Sequence, residues 1–321
     1  MRPMRRCSTI DAVVNESGPA ESASQLAAHL APALALLRAV EAEGHLTRAA
    51  EVLGVPQPTV SRTLARLADE IGTPLIARRG RGVHLTRAGE LLAGAATDAL
   101  RALEAGCREV VEEIAPERGQ VVIGFQHTMG ATLVPSLVRG FRADHPQVRF
   151  GLLQGPRAEM LAGMRDGRID VCLVSPPPDD AELAWVALQE EPLVAVLYQD
   201  HRLAHRQRLG LAELADDDFI VTRHGYGLRQ IFTEFTERAG FEPRIAFESE
   251  EVDTVRGMVA AGLGVALLPT AVPLAIPGTV EIPLNPRAHR TVCLTWVADR
   301  AMPPAVRAFR DFASSRRIPR A

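Results

Sequence analysis

The 321-residue sequence contains no lysine, so all 36 of its Lys-plus-Arg residues are arginine. An arginine side chain carries a planar, permanently charged guanidinium, which pairs well with phosphates and with guanine. The formal net charge is nevertheless −3. This balance gives the whole chain no attraction to nucleic acid, but it fits a small DNA-reading unit attached to a larger acidic one.

The sequence also lacks long apolar runs, and none approaches the roughly 20 consecutive apolar residues of a membrane-spanning helix. The first six residues are basic, but the segment behind them carries Asp11, Glu16 and Glu21 and does not resemble a signal peptide. We therefore expect a cytoplasmic protein with no membrane partner. Residues 1–30 show no sustained period, which predicts a disordered N-terminal extension or reflects a misassigned start codon.

Cysteine is scarce and scattered, at Cys7, Cys107, Cys172 and Cys293. There is no C-x-x-C pair and no neighbouring histidine cluster, so the sequence predicts neither a metal site nor a disulfide framework. Reduced, mostly buried thiols are the expectation. A redox-active pair stays open, although no spacing argues for one.

The region from Leu34 to Leu92 combines short helical periods with a strand pattern. We predict a first helix from Ala33 to Glu43 and a second that begins with Thr47 as its N-cap. A third helix is predicted over Gln57–Ile71. Its apolar positions follow the helical repeat and are Val60, Leu64, Leu67 and Ile71. Residues 73–85 then have strand-like ends around an arginine- and glycine-rich centre, which predicts a basic two-stranded wing.

The opposite face of the third predicted helix is polar. A helix-turn-helix holds such a helix so that its first side chains reach base edges in the major groove. Glutamine pairs with adenine and arginine with guanine, while hydroxyls contact bases or phosphates. By spacing alone, an amphipathic helix with a solvated face fits equally well. The candidate DNA-binding residues, with those of the wing, are Thr47, Gln57, Pro58, Thr59, Ser61, Arg62, Arg66, Arg78, Arg79 and Arg81.

An ordered set of residues across this region resembles the LysR-type DNA-binding domain. The matching positions are Ala49-Ala50, Leu53, Val55-x-Gln57-Pro58-x-Val60-Ser61-Arg62, Leu64, Leu67, Gly72-x-Pro74-Leu75, Arg78 and Val83-x-Leu85-Thr86-x-Ala88-Gly89. The resemblance continues to about Phe312. It implies a sequence-specific transcription regulator that binds double-stranded promoter DNA and responds to a small-molecule effector.

The match has departures. Pro56 stands where a serine is usual before the glutamine, so the third helix lacks its usual side-chain cap, at a cost of about 1 kcal/mol. Ala68-Asp69 replaces the usual glutamate, Ile76 the usual wing phenylalanine, and Gly44-His45 the usual Gly-Ser. None of these changes removes a base-reading candidate.

A long helix is predicted from Thr86 to about Ile114. A heptad-like stripe of apolar and small residues runs along it: Leu92, Ala96, Ala99, Leu103, Gly106 and Val110. Such a stripe suits pairing with a second helix, and packing on the helix's own domain is the alternative. The sequence therefore predicts self-association, and the resemblance implies a homodimer or homotetramer, with contact to RNA polymerase as a further possibility.

After Gly119 strands and helices alternate, which predicts α/β layering with largely parallel sheets. The resemblance implies a multidomain fold: an all-α winged helix-turn-helix at 31–92 and a linker helix and hinge at 93–118, with the helix beginning near 86. The rest, 119–315, would be an α/β effector domain similar to periplasmic solute-binding proteins. Its two Rossmann-like subdomains would be 119–195 with 278–315, and 196–277.

Polar or glycine-rich turns follow several predicted strands of this region, and ligands of parallel α/β sheets sit at such strand ends. Thr128 aligns with a hydroxyl residue that effector sites of the family commonly place after the first strand, and Arg223 could receive a carboxylate. Each candidate could instead cap a helix or a turn. The candidate effector-binding residues are Thr128, Gln154, Ser175, Thr222 and Arg223.

Two other classes of function compete with this interpretation. A solute-binding or transport protein on the same α/β fold is disfavoured by the missing signal peptide and by the extra N-terminal module. An enzyme is disfavoured because G-x-S-x-G, H-E-x-x-H, P-loop and dinucleotide motifs are absent. We therefore expect no catalytic residues, no metal and no cofactor.

Overall fold

The computed structural model of the chain describes residues 32–79, 82–114, 119–270 and 276–316. The chain divides into two compact units at the boundary between Gly119 and Gln120. Among the described residues, no helix has both the length and the apolar character needed to cross a membrane.

The first unit is a group of helices with a two-stranded wing. Its elements are α1 (Pro32–Glu43), α2 (Leu46–Val52), α3 (Gln57–Ile71), β1 (Ile76–Arg79), β2 (Gly82–Leu85) and α4 (Arg87–Ile114). The strands β1 and β2 pair antiparallel, with Ile76 opposite Leu85. The core of the unit joins α1, α2, α3 and the start of α4 through Leu37, Ala49, Val60 and Ala93.

The junction between the wing and the long helix α4 is fixed by two close contacts. The Thr86 hydroxyl donates to the Pro74 carbonyl at 2.7 Å and accepts the Gly89 backbone N–H at 3.1 Å, so Thr86 caps α4. A Cβ on Gly89 would lie 2.0 Å from the Leu75 carbonyl oxygen. Only glycine allows the helix to approach the chain so closely, which accounts for Gly89 at this position.

The second unit alternates strands and helices. Its elements are β3 (Gln120–Phe125), a 3₁₀ turn (His127–Met129), α5 (Leu133–Asp144), β4 (Arg149–Gln154), α6 (Arg157–Arg165), β5 (Val171–Val174), β6 (Leu183–Tyr198), a second 3₁₀ turn (Leu211–Leu214), β7 (Asp218–Thr222), α7 (Gly227–Ala239), β8 (Arg244–Ser249), α8 (Val252–Ala260), β9 (Ala266–Pro269), β10 (Thr279–Val297) and α9 (Pro304–Ser315).

Two long strands, β6 and β10, connect the two halves of this unit. The sheet order is β4-β3-β5-β10-β6-β9, and the pair β7-β8 joins it through a bridge between Phe219 and Val265. The end of β10 pairs with β5 at Cys293, whereas the end of β6 pairs with β9 at Leu193. The same two strands therefore belong to a first half that contains β3, β4 and β5 and to a second half that contains β7, β8 and β9.

The expectation of largely parallel sheets holds only for β4-β3-β5 at one end of the sheet and for the separate pair β7-β8. β3 pairs in parallel with β4 and β5, and β7 with β8, but β10 runs antiparallel to β5 and β6, and β6 runs antiparallel to β9. The sequence pattern showed only the apolar ends of the two long strands, at 193–197 and 291–297. Their outer parts alternate between buried and exposed residues and carry charges, so they lack the continuous apolar run of a buried strand.

Candidate functional site

The third helix, α3, buries one face and exposes the other. Val60 and Leu64 are fully buried, and they face α2 across Ala49 and Ala50, whose small side chains allow the two helices to cross closely. The predicted core stripe is wrong at its end, because Ile71 is 47 % exposed in the last turn of the helix. The helix pair nevertheless has the packing that a helix-turn-helix requires.

The first three turns of α3 present polar side chains away from this core. Pro58, Arg62 and Arg66 are exposed, while Gln57, Thr59 and Ser61 are partly exposed. The Arg62 Nε donates to the Pro58 carbonyl at 3.2 Å, which leaves the terminal nitrogens of its guanidinium toward solvent. Pro56 occupies the N-cap position, and no side-chain cap hydrogen bond is formed there, as the departure at this residue predicts.

The remaining DNA candidates lie outside α3. Thr47 is exposed, but it lies inside α2, and the N-cap is His45, so the prediction of Thr47 as the cap is wrong. Arg78 is exposed on β1. Arg81 and the side chain of Arg79 lie outside the described residues. Sequence reasoning also passed over Arg48, which is exposed beside Thr47.

In the second unit the ends of β3, β5 and β7 meet at the start of α7. The Gln126 Oε1 accepts the Ser175 backbone N–H at 2.6 Å, which joins the turns after β3 and β5. A Cβ on Gly227, the first residue of α7, would lie 1.8 Å from the Ser175 carbonyl oxygen and 2.5 Å from the Gln126 Nε2. The two halves are therefore in backbone contact at this point, and glycine is required there.

Thr128 is held by a buried ion pair from the two long strands. Arg290 on β10 donates from Nε to Glu191 on β6 at 2.7 Å, and its Nη2 lies 2.5 Å from the same carboxylate oxygen. That Nη2 also donates to the Thr128 Oγ1 at 2.8 Å. The Arg290 side chain is 1 % exposed, so burial lowers the pKa of its guanidinium while the Glu191 carboxylate opposes the shift.

Among the described residues at the ends of β3, β5 and β7, three buried polar atoms have no hydrogen-bond partner. They are the Ser175 Oγ, the Thr222 Oγ1 and the His127 Nδ1. Buried polar groups without partners are uncommon in proteins and costly, so they require an explanation. The other ring nitrogen of His127, Nε2, lies 3.3 Å from the Glu251 Oε1, across from β3 at the start of α8.

The other two effector candidates are more exposed. Gln154 ends the edge strand β4, and its Oε1 lies near Gly130 rather than at the buried atoms. Arg223 makes an ion pair with Glu250 at 2.6 Å, and each of the two side chains is more than half exposed. The half that contains β3, β4 and β5 also has a groove of about 590 Å³ between α5 and β4. None of the five candidate effector-binding residues lines this groove.

Sequence reasoning missed several residues of this cleft: Gln126, Gly227, Glu191 and Arg290. Gln126 and Gly227 belong to the polar and glycine-rich segments that the sequence predicts after strands. Only the structure shows that they join the turns after β3 and β5 to the start of α7. Arg290 and Glu191 are 99 residues apart, on strand segments that the apolar pattern did not mark. A buried arginine and glutamate that face each other across a strand pair leave no signal in a single sequence.

Comparison with known proteins matches both units. Residues 32–90 match the family described as bacterial regulatory helix-turn-helix protein, lysR family, and residues 115–317 match the LysR substrate binding domain. The chain belongs to the LysR family. It is therefore a LysR-type, DNA-binding transcription regulator with an effector-binding domain, and regulators of this family act as oligomers.

Among similar proteins of this LysR family, the regulator YybE of Bacillus subtilis is 34% identical over 272 residues, which cover 84% of this chain and 93% of YybE. The regulator OxyR of Escherichia coli is 30% identical over 275 residues, covering 82% and 88%.

Solved structures of LysR-family regulators are also similar to this chain. A full-length OxyR variant of Pseudomonas aeruginosa has a TM-score of 0.65 at 25% identity and covers 88% of this chain and 94% of its own. The effector binding domain of QuiR, in complex with shikimate, has a TM-score of 0.58 at 27% identity and covers 61% and 95%. The solute-binding alternative is not favoured by these matches, which include the N-terminal unit.

Proposed function

We propose that a small molecule bound in the cleft between the two halves of the second unit controls how this regulator engages its operator. The effector would favour one arrangement of the two halves, and this population shift would change the placement of the DNA-binding units in an oligomer. Because promoter DNA is the partner, the protein would act in the cytoplasm, and RNA polymerase would be a further contact. The effector part of this proposal is supported by Thr128, Ser175 and Thr222, which follow or end β3, β5 and β7 where Gly227 brings the halves into contact; the buried hydroxyls of Ser175 and Thr222 have no partner among the described residues.

For the DNA contacts, we propose two groups of residues with different tasks. Residues of the first turns of α3, from Gln57 to Arg66, would read base edges, with Arg62 on guanine. The wing arginines, together with Thr47, would contact phosphates or the minor groove. The support is the exposed polar face of α3 above a buried apolar one, and the exposed guanidinium of Arg78 on β1.

The two tasks are distinguished by comparing cognate and random duplexes. Arg62→Ala should lose about 1 to 3 kcal/mol of discrimination against the wrong base. Arg78→Ala should weaken binding to both duplexes alike and reduce the dependence of affinity on salt by about one ion. Fluorescence anisotropy at several salt concentrations measures both. Equal losses on the two duplexes for the Arg62 change would contradict its assignment to base reading.

The oligomer would form through the long helix α4. Leu91, Val110 and Ile114 are each about half exposed or more, and the small residues Ala95, Ala99 and Ala102 continue the same exposed stripe between them. The stripe differs from the predicted one, because Ala96 packs into the core of its own unit. Static light scattering distinguishes dimer from tetramer, and a monomer at micromolar concentration would contradict this use of α4.

Peroxide sensing, which the names of some relatives state for those proteins, finds no support in the described thiols. Cys172 and Cys293 are fully buried, and burial raises the pKa of each thiol. Burial and the nearby Glu104 also raise the pKa of Cys107. A peroxide-reactive cysteine needs an accessible thiolate, so an effector that binds without covalent chemistry fits these residues better.

A further inference from the structure

The cleft contains hydrogen-bonding groups that no described residue satisfies. Ser175 is fully buried and Thr222 is 3 % exposed, and neither hydroxyl has a partner in the part of the chain that the structure describes. Leaving such groups unpaired destabilises a protein, so they are expected where a ligand supplies the missing bond. The hydroxyl of Thr128 adds to this set: because it accepts from the Arg290 guanidinium, its own proton is free to be donated.

The groups offered are both donors and acceptors. Gln126 accepts the Ser175 N–H through Oε1, so its Nε2 presents donors beside Gly227. The His127 Nε2 lies 3.3 Å from the Glu251 Oε1, and the buried His127 Nδ1 has no partner among the described residues, so a ligand can also hydrogen-bond there. A ligand that satisfies the whole set needs oxygen atoms that both donate and accept, which is the property of hydroxyl groups.

The guanidiniums around the cleft are already engaged before any ligand arrives. Arg290, Arg229 and Arg223 are paired with Glu191, Glu248 and Glu250 at 2.5 to 2.6 Å. A fourth carboxylate, Glu251, faces His127. Arg157, at the start of α6, donates to the carbonyls of Pro176 and Pro177.

The start of α7 lies among carboxylates. Tyr226, the residue before the helix, has its pKa raised by burial and then by Glu250, Glu251 and Glu159. These carboxylates offset the positive end of the helix dipole, which would otherwise attract an anion. An acidic ligand would therefore meet carboxylates at the helix start and guanidiniums already engaged by glutamates or, for Arg157, by backbone carbonyls.

We infer that the effector is a small, uncharged molecule bearing hydroxyl groups, held by Ser175, Thr222 and Thr128. This inference rests on the proposed use of the cleft as the effector site. It specifies the chemistry that the site selects, because an acid must displace an existing ion pair or the carbonyl bonds of Arg157, whereas an alcohol only completes missing hydrogen bonds.

The first experiment needs no ligand and tests whether the unpartnered Thr222 hydroxyl destabilises the protein. Thr222→Val keeps the shape of the side chain and removes the unpartnered hydroxyl, so the melting temperature of the full chain should rise by roughly 2 to 4 °C. Thr236→Val is the matched control: Thr236 is equally buried, but its hydroxyl donates to carbonyls of Phe232 and Thr233 within α7, so its removal should give no rise. A fall for the Thr222 variant would overturn the assignment.

The ligand class is tested with pairs of hydroxylated probes that differ in charge: shikimate with methyl shikimate, gluconate with glucitol, and glycerate with glycerol. Since polyols stabilise folded proteins in general, the signal is the melting-temperature gain of the wild type over that of the Thr222→Val variant. We expect such a gain for at least one uncharged probe, larger than for its acid. Preferential gains with the acids, or no gain with any uncharged probe, would overturn the inference.

Operator binding by the same wild-type preparation is measured by mobility shift. Loss of operator binding would contradict the regulatory function itself, whereas intact operator binding with an acid-selective cleft would contradict only the ligand class.

Discussion

At their candidate sites, the two units of this regulator use arginine in opposite ways. In the first unit Arg48, Arg62 and Arg78 are exposed and make no ion pair with any carboxylate of the described residues. In the second unit Arg290 and Arg229 are buried, and each is paired with a glutamate. The exposed charges are available for a polyanion, whereas the buried ones organise a cleft and have little left to offer an anion.

The two sites also differ in how far they can be predicted from the sequence. The polar face of α3 is local, because residues from Gln57 to Arg66 share one helix and their spacing alone sets their common direction. The cleft is non-local: it joins turns after three strands to a strand pair whose members are 99 residues apart. A single helix carries its own geometry, while the cleft exists only after the sheet has formed.

The largest effect is expected from breaking the buried pair of the second unit. Arg290→Met would leave the Glu191 carboxylate, which is 24 % exposed and still accepts from Gln189, without its charged partner, and would remove the bond to Thr128, at a cost of about 3 kcal/mol in the free energy of unfolding. Urea unfolding followed by tryptophan fluorescence measures this loss. Trp185 and Trp296 lie on β6 and β10, the two strands that carry Glu191 and Arg290.

Arg223→Met is the matched control for this change. Its pair with Glu250 is more than half exposed, so the loss should stay below about 1 kcal/mol. Similar losses for the two variants would show that burial does not distinguish the arginines of the cleft. A double variant, Arg290→Met with Glu191→Leu, should recover part of the loss because no buried charge is left unpaired.

Much of the fold could be predicted from the sequence. The bounds predicted for α3 agree with the structure, and the family resemblance gave the winged helix-turn-helix and the α/β domain. Of the candidate cleft residues, Ser175 and Thr222 were predicted from their place after strands and Thr128 also from the family resemblance, and their contact with an effector stays a prediction. Gly227 and Arg290 were not predicted, because their roles depend on the approach of two halves that are distant in the chain.

The contact between the halves can be broken at Gly227. In Gly227→Ala, the new Cβ would clash with the Ser175 carbonyl and the Gln126 amide, so the halves would separate or the unit would lose about 1 to 3 kcal/mol. Hydrogen exchange should then be faster at the Ser175 N–H, which Gln126 accepts, and at the Ala158 N–H, which the Gly225 carbonyl accepts.

Gly257→Ala controls for the gain of a methyl group in the same half. Gly257 is exposed on α8 with nothing within 4 Å of its Cβ position, so alanine should stabilise the helix by up to about 1 kcal/mol. If both glycine variants exchanged like the wild type, the closed contact would not be a property of the protein in solution.

The smallest effect concerns two threonines of the first unit, and it tests how well a sequence reveals a helix cap. Thr86 bridges the Pro74 carbonyl and the Gly89 N–H, so Thr86→Ala should cost about 1 kcal/mol and fray the start of α4. Thr47 was predicted to cap α2 but lies exposed inside it, so Thr47→Ala should stay within about 0.5 kcal/mol. Because both tryptophans lie in the second unit, hydrogen exchange of α2 and α4 is the appropriate measurement. Equal destabilisation by the two changes would restore Thr47 as a structural residue and weaken its use as a DNA contact.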